Sequence, residues 1–450
     1  MTRRQFLAMT MLPMLTIIGV IVLWKTEQRG HQRIDGGDRR HEMLDEVIGL
    51  LQQHYDGPID VAKLVDGSLA GAATAVGDRY TELWAPAEAK EQAARSEGQF
   101  GGIGVSILRR PDGTVLIAGV NPGGPADQAG LTRRDVILAV AGVELKGIDF
   151  AAVGELVRGE VGSEVILSIL RGEERKEIVV VRGNVPIRSV EGARMLEGSD
   201  IGYIRIESFN AKTSEQFIDA WHLLKGAGMK RLVLDLRYNH GGNLLASIEI
   251  ADLFIAAPNV PIVSVKASSP EKLARLPDFE PDFSGGTVYL TKDDKAMVDV
   301  PCVLLQNGET ASAAEVLGGC LQDYGIAFII GERSFGKGVV QRTFELRSDP
   351  RYLLKVTVAS YFTPLGNNLM QRDKGGPGGI EPDLYLPLST AQAEDLARRY
   401  RVQGFQVPRT ADEIVDDEDR AAWQRPDVHL EAAQDYLKGR PVAKPLDLPK

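Results

Sequence analysis

The chain holds 450 residues, 44% of them hydrophobic and 25% charged. That balance suits two or three globular domains, each with its own core. A formal net charge of -10 excludes a protein built to coat nucleic acid, which would be basic. Repeats and low-complexity tracts are absent. No HExxH, CxxC or P-loop spacing occurs, so neither metal nor cofactor is expected.

In chain order, "MTRRQ" is basic and Phe6 to Trp24 carries no charge. Such a segment spans roughly 28 Å as a helix, about one bilayer core. No small-x-small cleavage site follows it, so residues 1–30 are expected to be an uncleaved signal anchor in the membrane. Arg3 and Arg4 precede the span, while Lys25, Arg29, Arg33, Arg39 and Arg40 follow it. That count does not favour export. Long domains are translocated largely regardless of such charge, so the bulk is expected outside the cytoplasm, in a bacterial periplasm.

Residues 31–95 read as a polar linker and a helical segment. "EMLDEVIGLLQQHY" places Met43, Val47, Leu50 and Leu51 at helical spacing. From residue 96 to 183 the texture is a small mixed β domain. "GQFGGIGVSILRR" is a Gly-rich loop entering an alternating strand, and "NPGGPADQAG" is a turn with Pro125 and Gly130 bracketing a short helix. From 184 to 390, strands and helices alternate, which predicts an α/β domain with buried strands. Residues 391–450 are helical and charged in texture. This tail could form a peripheral cap, dimerise the chain or simply pack.

Ser312 follows an apolar strand and opens a helix, close to unpaired N–H groups and the positive end of the helix dipole. Ser312-Ala313-Ala314-Glu315 equally fits a capping box. A nucleophilic serine needs a base and an oxyanion hole. Of six histidines, only His240 in "RYNHGG" ends a strand near likely chemistry, and a turn role suits it too. Lys337 in "RSFGKGVVQ" is the other candidate base. An ordinary lysine has a pKa of ~10.4, and lowering it to ~7–8 by burial costs about 3–5 kcal/mol. Gly336, Gly338, Phe335, Val339 and Val340 suit such burial, and Gln341 could hold the amine without adding charge. A solvated lysine in a Gly-rich hairpin remains the plain alternative. Cys302 and Cys320 lie in apolar surroundings and read as buried thiols, although an oxidising compartment would permit a disulfide.

"TASAAEVLGGCLQDY" followed by "GERSFGKGVVQ" resembles the carboxy-terminal processing peptidases, or tail-specific proteases. So do "DRYTELW", "GGIGV", "GPADQAGL", "IGYIRI", "LVLDLRYNHGG", "YFTPLG" and "GIEPDLYL", which together span about residues 40–388. The resemblance implies a Ser312/Lys337 dyad supported by Gln341, with oxyanion donors at the N–H groups of Gly242 and Ala313. It also implies a ββα superhelical (crotonase/Clp-like) catalytic domain with an inserted PDZ domain. The PDZ loop would be Phe100, Gly101, Gly102, Ile103, Gly104 and Val105, and its ligand the free C-terminus of a protein or peptide substrate. The chain departs from the family in carrying His240 where proline is common, and in a longer "NNLMQRDKGGPGGIEPD". Two rivals to a dyad endopeptidase stay open at this point: a Ser/His hydrolase using His240, and an inactive PDZ scaffold.

Overall fold

The computed structural model describes residues 37–110, 112–268, 271, 286–292, 296–370, 378–403 and 417–440. The expected membrane anchor at residues 1–30 lies outside them. Among the described residues, no helix is long and apolar enough to cross a membrane.

The expected N-terminal helices are α1 (Gly37–His54) and α2 (Val61–Thr74). Met43, Val47, Leu50 and Leu51 are all exposed. The chain divides after Ala72 into two compact units, and the candidate site lies wholly in the second.

That second unit continues with β1 (Glu82–Trp84), α3 (Pro86–Glu97), β2 (Gln99–Gly102), β3 (Val105–Arg109), β4 (Val115–Val120) and α4 (Pro125–Gln128). Next come β5 (Val136–Val140), β6 (Val143–Glu144), α5 (Phe150–Val157), β7 (Glu164–Arg171), β8 (Glu174–Val181) and β9 (Gly183–Pro186). Strands β3, β4, β5, β7 and β8 form one antiparallel sheet in that order, with β3 at an edge and β6 on β5. Alternation drives the burial. Val165, Leu167 and Ile169 of β7 point into the core with Val153 and Val157 of α5, while Ile166 faces solvent. β2 and β9 pair as a ribbon at the domain's entry and exit.

The α/β part comprises β10 (Val190–Met195), β11 (Ile201–Ile206), α6 (Thr213–Gly226), β12 (Arg231–Asp235), α7 (Leu244–Asp252), β13 (Pro261–Lys266), β14 (Gly286–Leu290) and β15 (Cys302–Gln306). It continues through α8 (Ala313–Asp323), β16 (Ala327–Gly331), β17 (Val339–Glu345), β18 (Leu353–Phe362) and β19 (Leu384–Tyr385). The central sheet runs β10-β11-β12-β15-β16-β19 and is parallel from β11 onward. Its strands are covered on both faces, which is why "IGYIRI" is buried at every position. A second, antiparallel sheet joins β1, β18, β13 and β14, with β17 also on β18.

The tail forms α9 (Thr390–Gln403), α10 (Asp417–Gln424) and α11 (Val428–Leu437). It is more than the expected peripheral cap, because Ala432 and Ala433 of α11 share a core with Val233, Val303, Leu305 and Ile330 of the central sheet. Small side chains let the helix lie close, and Tyr436 stacks on Phe328 at 4.0 Å between centroids. Asp427 caps α11 by accepting from Leu430 N–H at 3.2 Å, and both its oxygens accept from Arg237 at 2.9 Å. Arg237, just past β12, also donates to both oxygens of Asp235. Burial alone would raise the Asp235 and Asp427 carboxyls, but Arg237 holds both below the usual carboxylate range. The stabilisation is therefore complete above about pH 4 and drains away as pH falls through the lowered values.

Removing this guanidinium would strand two buried anions. Arg237→Leu is expected to cost about 3–5 kcal/mol in urea unfolding at pH 7. An unchanged midpoint would show that the triad does not tie the tail to the sheet.

Candidate active site

Ser312 sits at the junction of the β15 loop and α8, with φ 58° and ψ -119°. A left-handed φ is unfavourable for a residue with a side chain. The surrounding backbone compels it. Ala311 N–H donates to Asn239 C=O at 2.9 Å, Asn239 Nδ2 donates to Ile206 C=O, and Gly241 N–H returns to Asn239 Oδ1, each at 2.8 Å. Gly241, at φ 94°, brings its backbone so close that a Cβ there would lie 2.7 Å from Ser312 Cβ and 2.9 Å from Ala313 N. The "NHGG" loop after β12 is thus pressed against the Ser312 turn. The sequence reading singled out Gly242; the closest approach belongs to Gly241, and only the fold identifies it.

Of the two roles open for the S-x-x-E spacing, the backbone half is present: Ser312 N–H donates to Glu315 Oε2 at 2.8 Å. The Ser312 hydroxyl itself makes no capping hydrogen bond, which leaves it available for chemistry. Glu315 does more than cap. It is fully buried, and its Oε2 also accepts from Lys337 N–H at 2.8 Å. Its Oε1 accepts from Gly336 N–H at 2.7 Å and from Ser334 Oγ at 2.6 Å. One carboxylate therefore binds the backbones of Ser312 and Lys337 together. Burial pushes its pKa up, while these four donors oppose the rise.

The Lys337 ammonium is half-buried, and no carboxylate among the described residues pairs with it. Burial lowers its pKa, with help from Lys355 and Arg79 against the opposing Glu82 and Glu315. No hydrogen bond joins Ser312 Oγ to Lys337 Nζ in this conformation. Nζ lies instead 5.1 Å from the centre of the Tyr80 ring. Gln341, in β17, donates through Nε2 to the Tyr80 carbonyl. Arg79 and Tyr80 were not singled out in the sequence, because the contact crosses more than 250 positions of chain.

Gly242 lies at the loop surface with φ 134°, bridged to Phe209, and a Cβ there would fall 2.0 Å from Phe209 O. Ala313 is fully buried and contributes a first-turn N–H that its helix cannot satisfy. Both belong to segments that meet at Ser312. His240 does not join them: its ring is 72% exposed and faces Glu309 at 3.7 Å. Cys302 and Cys320 are free, buried thiols pushed up to about 12 by burial.

The six residues expected to hold a substrate terminus lie in the separate antiparallel domain. Phe100, Gly101 and Gly102 are in β2, Ile103 is buried, Gly104 takes φ 76°, and Val105 opens β3. The carbonyls of Gly101, Ile103 and Gly104 accept from Gly159, Ala126 and Asn121 N–H groups at 3.1, 2.8 and 2.8 Å. Glycine is required at 101, where a Cβ would lie 2.2 Å from Gly159 O. Among the described residues, no cluster of histidine, cysteine or carboxylate side chains could hold a metal ion.

Comparison with known proteins finds two family matches. Residues 200–386 match the family model of peptidase family S41, and residues 116–171 match that of the PDZ domain. A carboxyl-terminal-processing protease of Picosynechococcus sp. is 33% identical over 69% of this chain and 70% of its own. The carboxy-terminal processing protease CtpA of Bacillus subtilis is 30% identical over 80% of this chain and 72% of its own. A solved structure titled photosystem II D1 C-terminal processing protease is 27% identical, covers 74% of this chain and 84% of its own, and superposes with a TM-score of 0.40. The chain belongs to peptidase family S41, the carboxyl-terminal processing proteases, and is a serine peptidase with a PDZ domain.

Proposed function

We propose that the chain is an endopeptidase that cuts exported proteins near their C-terminus, with Ser312 as nucleophile and Lys337 as general base. The observation that carries this reading is the Glu315 carboxylate, which fastens the backbones of Ser312 and Lys337 to one point. A lysine with depressed pKa and no partnering carboxylate suits a base better than a surface cation.

In this mechanism, neutral Lys337 takes the Ser312 proton as Oγ attacks the scissile carbonyl. The N–H groups of Gly242 and Ala313 receive the oxyanion. Protonated Lys337 then gives its proton to the leaving amine, and an acyl-enzyme remains. Water attacks the ester with Lys337 again as base, which releases the new C-terminus and restores Ser312. The PDZ domain captures the substrate's tail, its Phe100–Val105 loop receiving the carboxylate and the open edge of β3 accepting the peptide as an added strand. The order of strands and helices from residue 190 fits the ββα superhelical fold. The uncharged Phe6–Trp24 stretch supports a membrane anchor, with the catalytic part outside the cytoplasm.

Two measurements test this. An unstructured protein with an apolar C-terminal tail is incubated with the full chain, Ser312→Ala, Lys337→Ala and His240→Ala. The parent and His240→Ala should cut at similar rates, and the other two should lose about 10³-fold or more. Equal cutting by Lys337→Ala would end the dyad reading, and loss of cutting in His240→Ala alone would favour a Ser/His hydrolase. The second measurement is the pH profile. Only neutral Lys337 accepts a proton, so kcat/KM rises with pH through its pKa and levels off above it. Because burial lowers that pKa, the plateau should begin below the ordinary lysine value of ~10.4. An acid limb near 6.5, the ordinary histidine value, that vanishes in His240→Ala would contradict the assignment.

A further inference from the structure

The turn preceding β1 is pinned to the catalytic sheet. Asp78 organises it: Tyr80 N–H donates to Oδ1 at 3.1 Å and the Thr81 hydroxyl to Oδ2 at 2.6 Å. Thr357 N–H of β18 then donates to Thr81 Oγ1 at 3.3 Å. β1 continues the attachment by pairing Glu82 with Lys355, Leu83 with Leu354 and Trp84 with Leu353. β17 lies on the opposite edge of the same β18, so the turn is held across β18 from the strand that follows Lys337.

The contacts that result fall on the catalytic candidates themselves. The Tyr80 carbonyl accepts from Gln341 Nε2. The Tyr80 ring lies 5.1 Å from Lys337 Nζ. The Arg79 guanidinium stands 4.7 Å from that ring's centre and 5.4 Å from the centre of Phe335. Its Nη2 donates to Tyr80 Oη at 2.5 Å. Arg79 is exposed, and against burial its charge helps hold the neighbouring Asp78 carboxyl below its ordinary value, after Thr357, Thr81 and the Tyr80 N–H.

The chemistry of an amide gives the first contact its meaning. A carbonyl only accepts, so Tyr80 must take the NH2 end of Gln341. The acceptor Oε1 is left for a donor, a role that the amine of Lys337, four residues earlier in the chain, could fill. An amine held through its N–H keeps its lone pair for the serine proton. The charged groups that face Lys337 are Lys355 on β18, Glu82 on β1, Glu315 on α8 and Arg79 on the turn. Glu82 is already paired with Lys355. Arg79, whose charge also acts on Asp78, makes no ion pair within the described residues, and both it and the Lys337 amine lie about the Tyr80 ring, 4.7 and 5.1 Å from its centre.

We propose that Arg79 and Tyr80 are positioning residues of the catalytic centre, which hold Gln341 and Lys337 in the orientation that takes a proton from Ser312. This rests on the Ser312/Lys337 reading. The test is the pH profile of kcat/KM for the full chain on the same unstructured substrate, at low and high salt. The variants are Arg79→Leu, Arg79→Lys and Lys337→Ala, each checked for an unchanged thermal midpoint. Loss of a nearby cation makes the ammonium easier to form, so Arg79→Leu should move the acid limb up by about half a pH unit at low salt, and less at high salt. Arg79→Lys should keep the parental limb. A merely structural Arg79 would change the height of the profile and not its position. If Lys337→Ala is inert and the Arg79→Leu limb coincides with the parent's, the proposal fails while the dyad stands. If Lys337→Ala cuts like the parent, the dyad and this proposal fail together.

Discussion

A buried carboxylate surrounded by donors must remain an anion to satisfy them. Glu315 accepts from Ser312, Gly336 and Lys337 N–H groups and from the Ser334 hydroxyl. Three of these four are backbone groups that can only donate. Burial works against the charge, and the donors work for it. Its place three residues into α8, near the positive end of the helix dipole, adds to their side. The consequence is geometric. Two loops from different strands, one bearing the nucleophile and one bearing the base, share a single attachment point.

The rest of the unit holds that point in place. The parallel sheet delivers the β12 and β15 loops side by side, and Asn239 ties them through Ile206 and Ala311. Gly241 then closes on Ser312 at a distance that no other residue permits. Ser334 passes the arrangement outward by accepting from Ile380 N–H at 2.7 Å. Beneath, Arg237 between Asp235 and Asp427 joins the end of β12 to the tail helix. Strain at Ser312 is thereby sustained by a network rather than by one bond.

Much of this was legible in the sequence, for identifiable reasons. The alternation of strands and helices from residue 184 to 390 pointed to an α/β domain with buried strands, as "IGYIRI" and "CVLLQ" are. Ser312 at a strand-to-helix turn and Lys337 between two glycines were recognisable as local patterns. The S-x-x-E spacing showed Glu315 only as a cap, since its bonds to Gly336 and Lys337 are made across the fold. Tyr80 and Arg79 were invisible for the same reason, and so was the core role of Ala432 and Ala433 in a tail whose charged, helical texture left a peripheral cap, dimerisation and simple packing all open. Spacing reports contacts within a turn of helix or along a strand. It is silent on partners that topology alone brings together.

The measurement that bears most directly on the central claim is kcat/KM of Glu315→Gln against the parent, with the folded state verified by its thermal midpoint and secondary structure. The amide has the shape of the carboxylate, but whichever way it turns, its NH2 faces at least one backbone N–H. That leaves a buried donor without an acceptor, at a cost of about 1–3 kcal/mol. The account predicts a folded protein whose cleavage falls at least about tenfold, because the serine and the lysine are no longer tied to the same anion. Cleavage at the parental rate by a folded Glu315→Gln would contradict it.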